Sequence, residues 1–249
     1  MDEKPDDDCC TLTVTGRSAA KPAVRGLNPL TFSTCYLCGK DITGESSRDH
    51  VPPKQFFPKV FRKSNAIGEL EWLPTHQHCN HSYQIDEDYF VTTFGLPSAV
   101  GTPAGHALAH DIRDRYRRGE QQGLVNKVLN EFAPGTNQKA FASSRTHRVA
   151  WKIVRGLHCL RTGVILPERA TVHGDFTCEK TRPFLRDLDG ALLAAGFNDP
   201  WEGPVSSIFK ARIFVDQGPA VDSYTYVFVC WEYLMYFLSF QMSSGKLLE

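Results

Sequence analysis

The chain has 249 residues, enough for one large domain or a small domain joined to a larger one, and its apolar and charged fractions are those of an ordinary globular protein. Its 28 basic and 28 acidic side chains cancel. That excludes a polycation, and any nucleic-acid partner has to be met by local basic patches. The most apolar run, Tyr224 to Phe240, is interrupted by Glu232, so no membrane-spanning segment is expected.

Residues 1–28 mix acids, Ser, Thr, Gly and Pro without apolar periodicity and read as a flexible leader. The acidic start, MDEKPDDD, is the opposite of the basic head of a signal peptide, so a cytoplasmic protein is expected. Its eight cysteines then read as thiols or metal ligands rather than a disulfide framework, with Cys9 and Cys10 free in the leader.

Residues 29–98 carry nearly all the chemistry-bearing side chains. A knuckle (CYLCGK) is followed by a turn at Gly44 and an extended piece from Arg48 to Val51. The Pro52-Pro53 break and a variable loop lead to an extended LEWLP. A helix is predicted from Cys79 to Phe94, stopped by Gly95 and Pro97.

In residues 99–249, helices are predicted over 103–118, 121–132 and 145–162, the last ending near Gly163, with a loop at Pro134-Gly135. A short strand at 169–176 and a helix at 179–195 come next. SIFKARIFVD, YTYVFVCWEY and LMYFLSFQ are rich in β-branched and aromatic residues and read as antiparallel strands. Trp231, Tyr233, Tyr236 and Phe237 at strand spacing read as core before partner surface. The expected fold class is α+β: a small zinc-stapled ββα module followed by a larger α+β accessory domain.

The zinc expectation comes from spacing. Two thiolates three residues apart, Cys35 and Cys38, converge on one ion when a turn such as that at Gly39 curls the backbone. His76 and Cys79 form a second half-site, and together the four make a Cys3His tetrahedron. Zinc would add folding energy to a segment with few large apolar residues. His78 and His81 compete for the histidine position; His78 is adjacent to Cys79, where shared chelation is awkward, and His81 is free to face an active site.

Between the half-sites lies Arg48-Asp49-His50-Val51-Pro52-Pro53, and directly after the last cysteine comes Asn80. This ordered set resembles the HNH (ββα-metal) endonuclease superfamily in its zinc-containing form. It is similar to the recombination endonuclease VII branch and to bacterial HNH proteins carrying DHVPPK-like segments. The resemblance covers about residues 35–90. It implies a metal-dependent endonuclease hydrolysing phosphodiester bonds, with DNA as the expected substrate. His50 would be the general base, and Asp49 and Asn80 would hold a catalytic Mg²⁺ or Mn²⁺ beside the structural Zn²⁺. Imidazole suits proton abstraction near neutral pH, and carboxylate and amide oxygens suit a hard cation. The superfamily's middle Asn falls at Glu69, Leu70, Glu71 and Trp72 here, leaving Glu71 or a backbone carbonyl to orient the imidazole. Gln84, Glu87 and Asp88 are further candidate ligands, and the two acids read equally as solvated helix charges.

Two basic groups are candidates for nucleic-acid backbone contact. Lys54, Lys59, Arg62 and Lys63 follow the Asp-His pair without an acid, and Arg145, Arg148, Lys152 and Arg155 recur at helical spacing on one face. Each reads also as a solvated face. Arg113, Arg115, Arg117 and Arg118 alternate with Asp111 and Asp114 and read as surface salt bridges. An uncharged nuclease with a large accessory domain fits the effector of a bacterial antiviral defence system, controlled by a regulatory protein partner. The alternative is a non-catalytic zinc module that binds nucleic acid or protein.

Overall fold

The computed structural model describes residues 33–64, 67, 69–99, 101–131, 142–168, 172–178, 187, 189, 190, 194, 200–218, 220–243, 246 and 247. The leader with Cys9 and Cys10, the Pro134-Gly135 loop and most of the helix predicted at 179–195 lie outside the described residues. The fold is α+β, as the sequence pattern indicates.

Strand β1 (Ser46–His50) pairs antiparallel with β2 (Trp72–His76), setting Asp49 opposite Leu73 and His50 opposite Trp72. Helix α2 (Gln77–Gly95) follows β2 without a loop, because His76 keeps the extended conformation of the strand while serving as helix N-cap. Between the strands lies the short helix α1 (Lys59–Lys63).

The next helices are α3 (Pro103–Arg117), α4 (Gln122–Asn130) and α5 (Ser143–Thr162). Thr102 caps α3 by accepting the Gly105 N–H at 2.9 Å, with Pro103 pre-set for the first turn. Gly163 ends α5 in the left-handed region, φ 74°, returning its N–H to the Cys159 carbonyl.

The C-terminal sheet contains β3 (His173–Thr177), β4 (Glu202–Val205), β5 (Phe209–Gln217), β6 (Asp222–Cys230), β7 (Leu234–Ser243) and the short β8 (Lys246–Leu247). Its order is β3-β7-β6-β5-β4, with β8 also on β7, and every pairing is antiparallel. No helix among the described residues is long and apolar enough to cross a membrane.

The main core runs unbroken from Phe56 to Met242. Phe56 stacks on Phe90 at 5.3 Å and meets Trp231 at 5.2 Å, so stretches 29–98 and 99–249 share one apolar interior. Trp231 and Tyr236 are core, whereas Phe237 and Tyr233 pack at its margins. Trp231 holds φ 55° in the β6–β7 turn, a left-handed conformation that costs a non-glycine residue roughly 1–2 kcal/mol. Full burial of the ring and an indole N–H donated to the Phe56 carbonyl at 2.8 Å offset that cost.

Helix α5 lies inside the molecule, with Val149, Ala150, Ile153 and Val154 in the main core and Cys159 in a smaller cluster with Tyr36, Leu37, Val51, Leu73 and Tyr83. Gly156 permits that approach: a Cβ there would stand 2.6 Å and 2.8 Å from the two methyls of Val51. Valine has little rotamer freedom with which to yield. Gly156→Ala is therefore expected to destabilise by about 1–3 kcal/mol through overpacking, in spite of alanine's better helix propensity. A urea midpoint at or above wild type would refute this.

His158 is buried among Tyr224, Tyr226 and Phe240, with Nδ1 2.7 Å from the Tyr226 hydroxyl and Nε2 without a partner among the described residues. Burial pushes its pKa down from 6.5 to about 4. A depressed histidine pKa favours folding while the ring is neutral. Its contribution is complete above pH 6.5 and is lost as pH falls towards 4. The loss amounts to about 3 kcal/mol. Thermal melts from pH 7 to 4.5 are expected to fall more steeply for wild type than for His158→Phe; equal slopes would exclude His158 as the source.

Candidate metal-dependent hydrolytic site

The site is built on β1, β2 and the first turns of α2. Cys35 and Cys38 sit on the knuckle closed by the Gly39 N–H to the Cys35 carbonyl, with Gly39 at φ 71°. His76 ends β2 and Cys79 lies one turn into α2. The ligand atoms of Cys35, Cys38, His76 and Cys79 all lie within 4.8 Å of one another, so the four could hold a zinc ion. His76 Nδ1 approaches the Cys38 sulfur at 3.4 Å and the Cys79 sulfur at 3.8 Å, while Nε2 is 3.1 Å from the Asp41 carbonyl. An Nε2–H donated to that carbonyl fixes the tautomer with Nδ1 free to ligate. Burial, and then the crowding of Cys35 and Cys38, push the Cys79 thiol up to about 12. A cation at the centre of the cluster would favour ionisation of the Cys79 thiol. His78, exposed, stacks on His76 and stands 3.4 Å from the Cys79 sulfur, outside the four-residue group.

A cleft of about 260 Å³ opens beside this cluster, lined by Asp49, His50, Lys54, Asn80, Gln84 and Glu87 among others. Asp49, His50 and Asn80 thus share one cavity wall. Strand alternation sends Asp49 inward, 4% exposed, and leaves His50 half-exposed on the other face beside Arg48, whose guanidinium lies over Trp72 at 4.6 Å. Burial, and then the Lys54 ammonium, lower the His50 pKa. Its imidazole is therefore neutral at physiological pH, the form that accepts a proton. Neither Glu71 nor a backbone carbonyl hydrogen-bonds the ring among the described residues.

Asn80 donates its amide to Ser47 Oγ at 3.1 Å, and Ser47 Oγ meets Thr75 Oγ1 at 3.0 Å. This chain ties the helix to both strands and leaves the Asn80 amide oxygen available. Asp49 accepts the Tyr36 hydroxyl at 2.5 Å and the Lys152 ammonium at 2.9 Å on each oxygen. A carboxylate accepts about four hydrogen bonds or ligands, so these three contacts do not saturate it. Burial, then Asp49, raise the Tyr36 pKa well above its usual range, keeping it a donor. Asp49 and Asn80 thus bring to the cleft wall a carboxylate and an amide, the oxygen types that hard divalent cations take.

The structure changes the reading of two basic residues. Lys152 and Arg155 are each 1% exposed and offer nothing to a nucleic-acid backbone. Arg145 and Arg148 bind Asp86 at 2.6 and 2.7 Å and lie over the rings of Tyr89 and Tyr83. The reason is that α5 is enclosed at Lys152 and Arg155, which meet α2 and the knuckle, while Arg145 and Arg148 stay part-exposed. Arg155 donates to the Tyr36, Leu37 and Leu166 carbonyls, clamping the knuckle to α5. Glu87 is likewise no solvated charge, at 5% exposed, while Asp88 faces Arg115 at 4.0 Å. Lys54 remains exposed on the rim of the cleft. Sequence spacing missed the Tyr36 and Lys152 contacts to Asp49; the acid run Asp86-Glu87-Asp88, opposite in sign to the acid-free basic face of α5, was the available signal.

No family model matches the chain, and neither a curated protein nor a solved structure is significantly similar to it.

Proposed function

We propose that the protein is a metal-dependent endonuclease of HNH type that hydrolyses phosphodiester bonds, with DNA as the expected substrate. The observation that carries this reading is the convergence of Asp49, His50 and Asn80 on one cleft of a ββα unit whose strand and helix meet at a Cys3His cluster. In that cleft a ring nitrogen of neutral His50 takes a proton from water as the water oxygen attacks phosphorus. The bond to the leaving sugar oxygen breaks, and that oxygen takes up a proton from solvent. Asp49 and Asn80 would hold a divalent ion, which when bound would supply charge stabilisation at the phosphate. Lys54 and Arg48, on the cleft wall, contribute positive charge for flanking phosphates. The test is plasmid cleavage in Mg²⁺ or Mn²⁺ by wild type and His50→Ala; equal rates sink the reading and favour a non-catalytic zinc module.

A further inference from the structure

Glu87 and Lys152 occupy the same site without belonging to the Asp49, His50 and Asn80 set. Glu87 lies seven residues after Asn80, on the same face of α2, and reaches the cleft wall. Lys152 arrives from α5, more than 100 positions from Asp49 in the chain. Its ammonium contacts both Asp49 oxygens at 2.9 Å and Glu87 Oε1 more closely still. Gln55 donates to the other Glu87 oxygen at 2.9 Å. None of the three charged side chains is more than 7% exposed. Burial disfavours the Lys152 ammonium, but Asp49 and then Glu87 outweigh it and hold its pKa above the ordinary value.

Two carboxylates against one ammonium leave one net negative charge, which is what Asp49 alone would carry. We infer, on the strength of the nuclease reading, that Glu87 and Lys152 are a positioning pair that clamps the Asp49 carboxylate and sets the charge of the divalent-ion site at minus one. A divalent ion then brings the site to plus one, the charge complementary to a single phosphodiester anion. The second half of the chain thereby completes the ion site instead of merely adjoining it. A salt bridge serving only to fasten α5 to α2 would leave ion affinity indifferent to its charges.

The test is Mn²⁺ binding to the zinc-loaded full chain, followed by the electron paramagnetic resonance signal of free Mn²⁺. Glu87→Gln keeps the shape and brings the site to zero, so affinity is expected to fall at least tenfold. Lys152→Met brings it to minus two, so affinity is expected to rise at least tenfold. These are order-of-magnitude figures: a unit charge at roughly 4 Å in an effective dielectric near 20 is worth more than a decade. The double variant restores minus one and is expected to return to within about threefold of wild type, a coupling that separates charge from packing. Lys152→Arg, which keeps the cation, is expected to stay near wild type. If Lys152→Met does not fold, Glu87→Gln and the charge-balanced double variant decide the matter. Unchanged Mn²⁺ affinity in Glu87→Gln, or a double variant no nearer wild type than the single ones, overturns the inference while leaving the nuclease reading intact. A wild type that neither binds Mn²⁺ nor cleaves DNA overturns both.

Discussion

Replacing Cys79 by Ser, or chelating the zinc that the Cys3His cluster could hold, is expected to cost this protein several kcal/mol of stability. The ion would join the knuckle to the end of β2 and the first turn of α2. Cys35, Tyr36 and Leu37 belong to a small cluster separate from the main core, where they meet Leu73 of β2 and Tyr83 of α2, and the four ligands converge beside it. Structural zinc contributes on the order of 10–16 kcal/mol to folding in small zinc modules, comparable with the entire stability of a typical domain. Here part of that loss is absorbed, because Arg155 still ties the Tyr36 and Leu37 carbonyls to α5 and α2 still packs in the main core. The expected result is a drop of several kcal/mol, with the knuckle and β1 opening before the C-terminal sheet. Metal analysis would give one zinc per chain, and hydrogen exchange after chelation would show early loss of protection around residues 35–50. A metal-free protein melting at the temperature of the untreated one would refute the structural role of the cluster.

The zinc spacing, the strand-helix order and the C-terminal strands were legible in the sequence because each is a local pattern. Cys35-x2-Cys38 and His76-x2-Cys79 state their own geometry, and the aromatic, β-branched runs name themselves as strands. What local pattern could not supply was the environment of α5. Its two faces, one apolar through Val149, Ile153 and Val154 and one basic through Arg145, Arg148, Lys152 and Arg155, have the pattern of a helix half in solvent. Lys152 on the basic face is nevertheless buried against Asp49 and Glu87, while Arg145 and Arg148 pair with Asp86 and stay part-exposed. Contacts that cross residue 98 were equally beyond local pattern. Composition changes there, but Phe56, Phe90 and Phe94 find their partners in Trp231, Phe176 and Tyr236, contacts that no window of sequence contains.

His50→Ala is expected to lower the rate of DNA cleavage by about 10²–10⁴-fold, the range associated with loss of a positioned general base, while leaving the fold intact. Both halves of that expectation follow from where the side chain sits. The ring is half-exposed on the cleft wall and forms no hydrogen bond among the described residues, so its removal takes away little packing and orphans no buried group. Thermal stability is expected to stay within about 1 kcal/mol of wild type, as for surface substitutions in general. Asp49→Asn is the poorer probe for a reason visible in the same geometry. Its carboxylate is at once a candidate ion ligand and the acceptor of the Lys152 ammonium and the Tyr36 hydroxyl, so its replacement disturbs several roles together. Any lost activity would then be confounded with lost structure. A His50→Ala protein that melts like wild type, retains its zinc and cuts at least a hundredfold more slowly would locate the defect in proton transfer at His50. One that cuts at the wild-type rate would leave the cleft a binding surface, with the Cys3His cluster as its staple and no hydrolytic chemistry assigned to it.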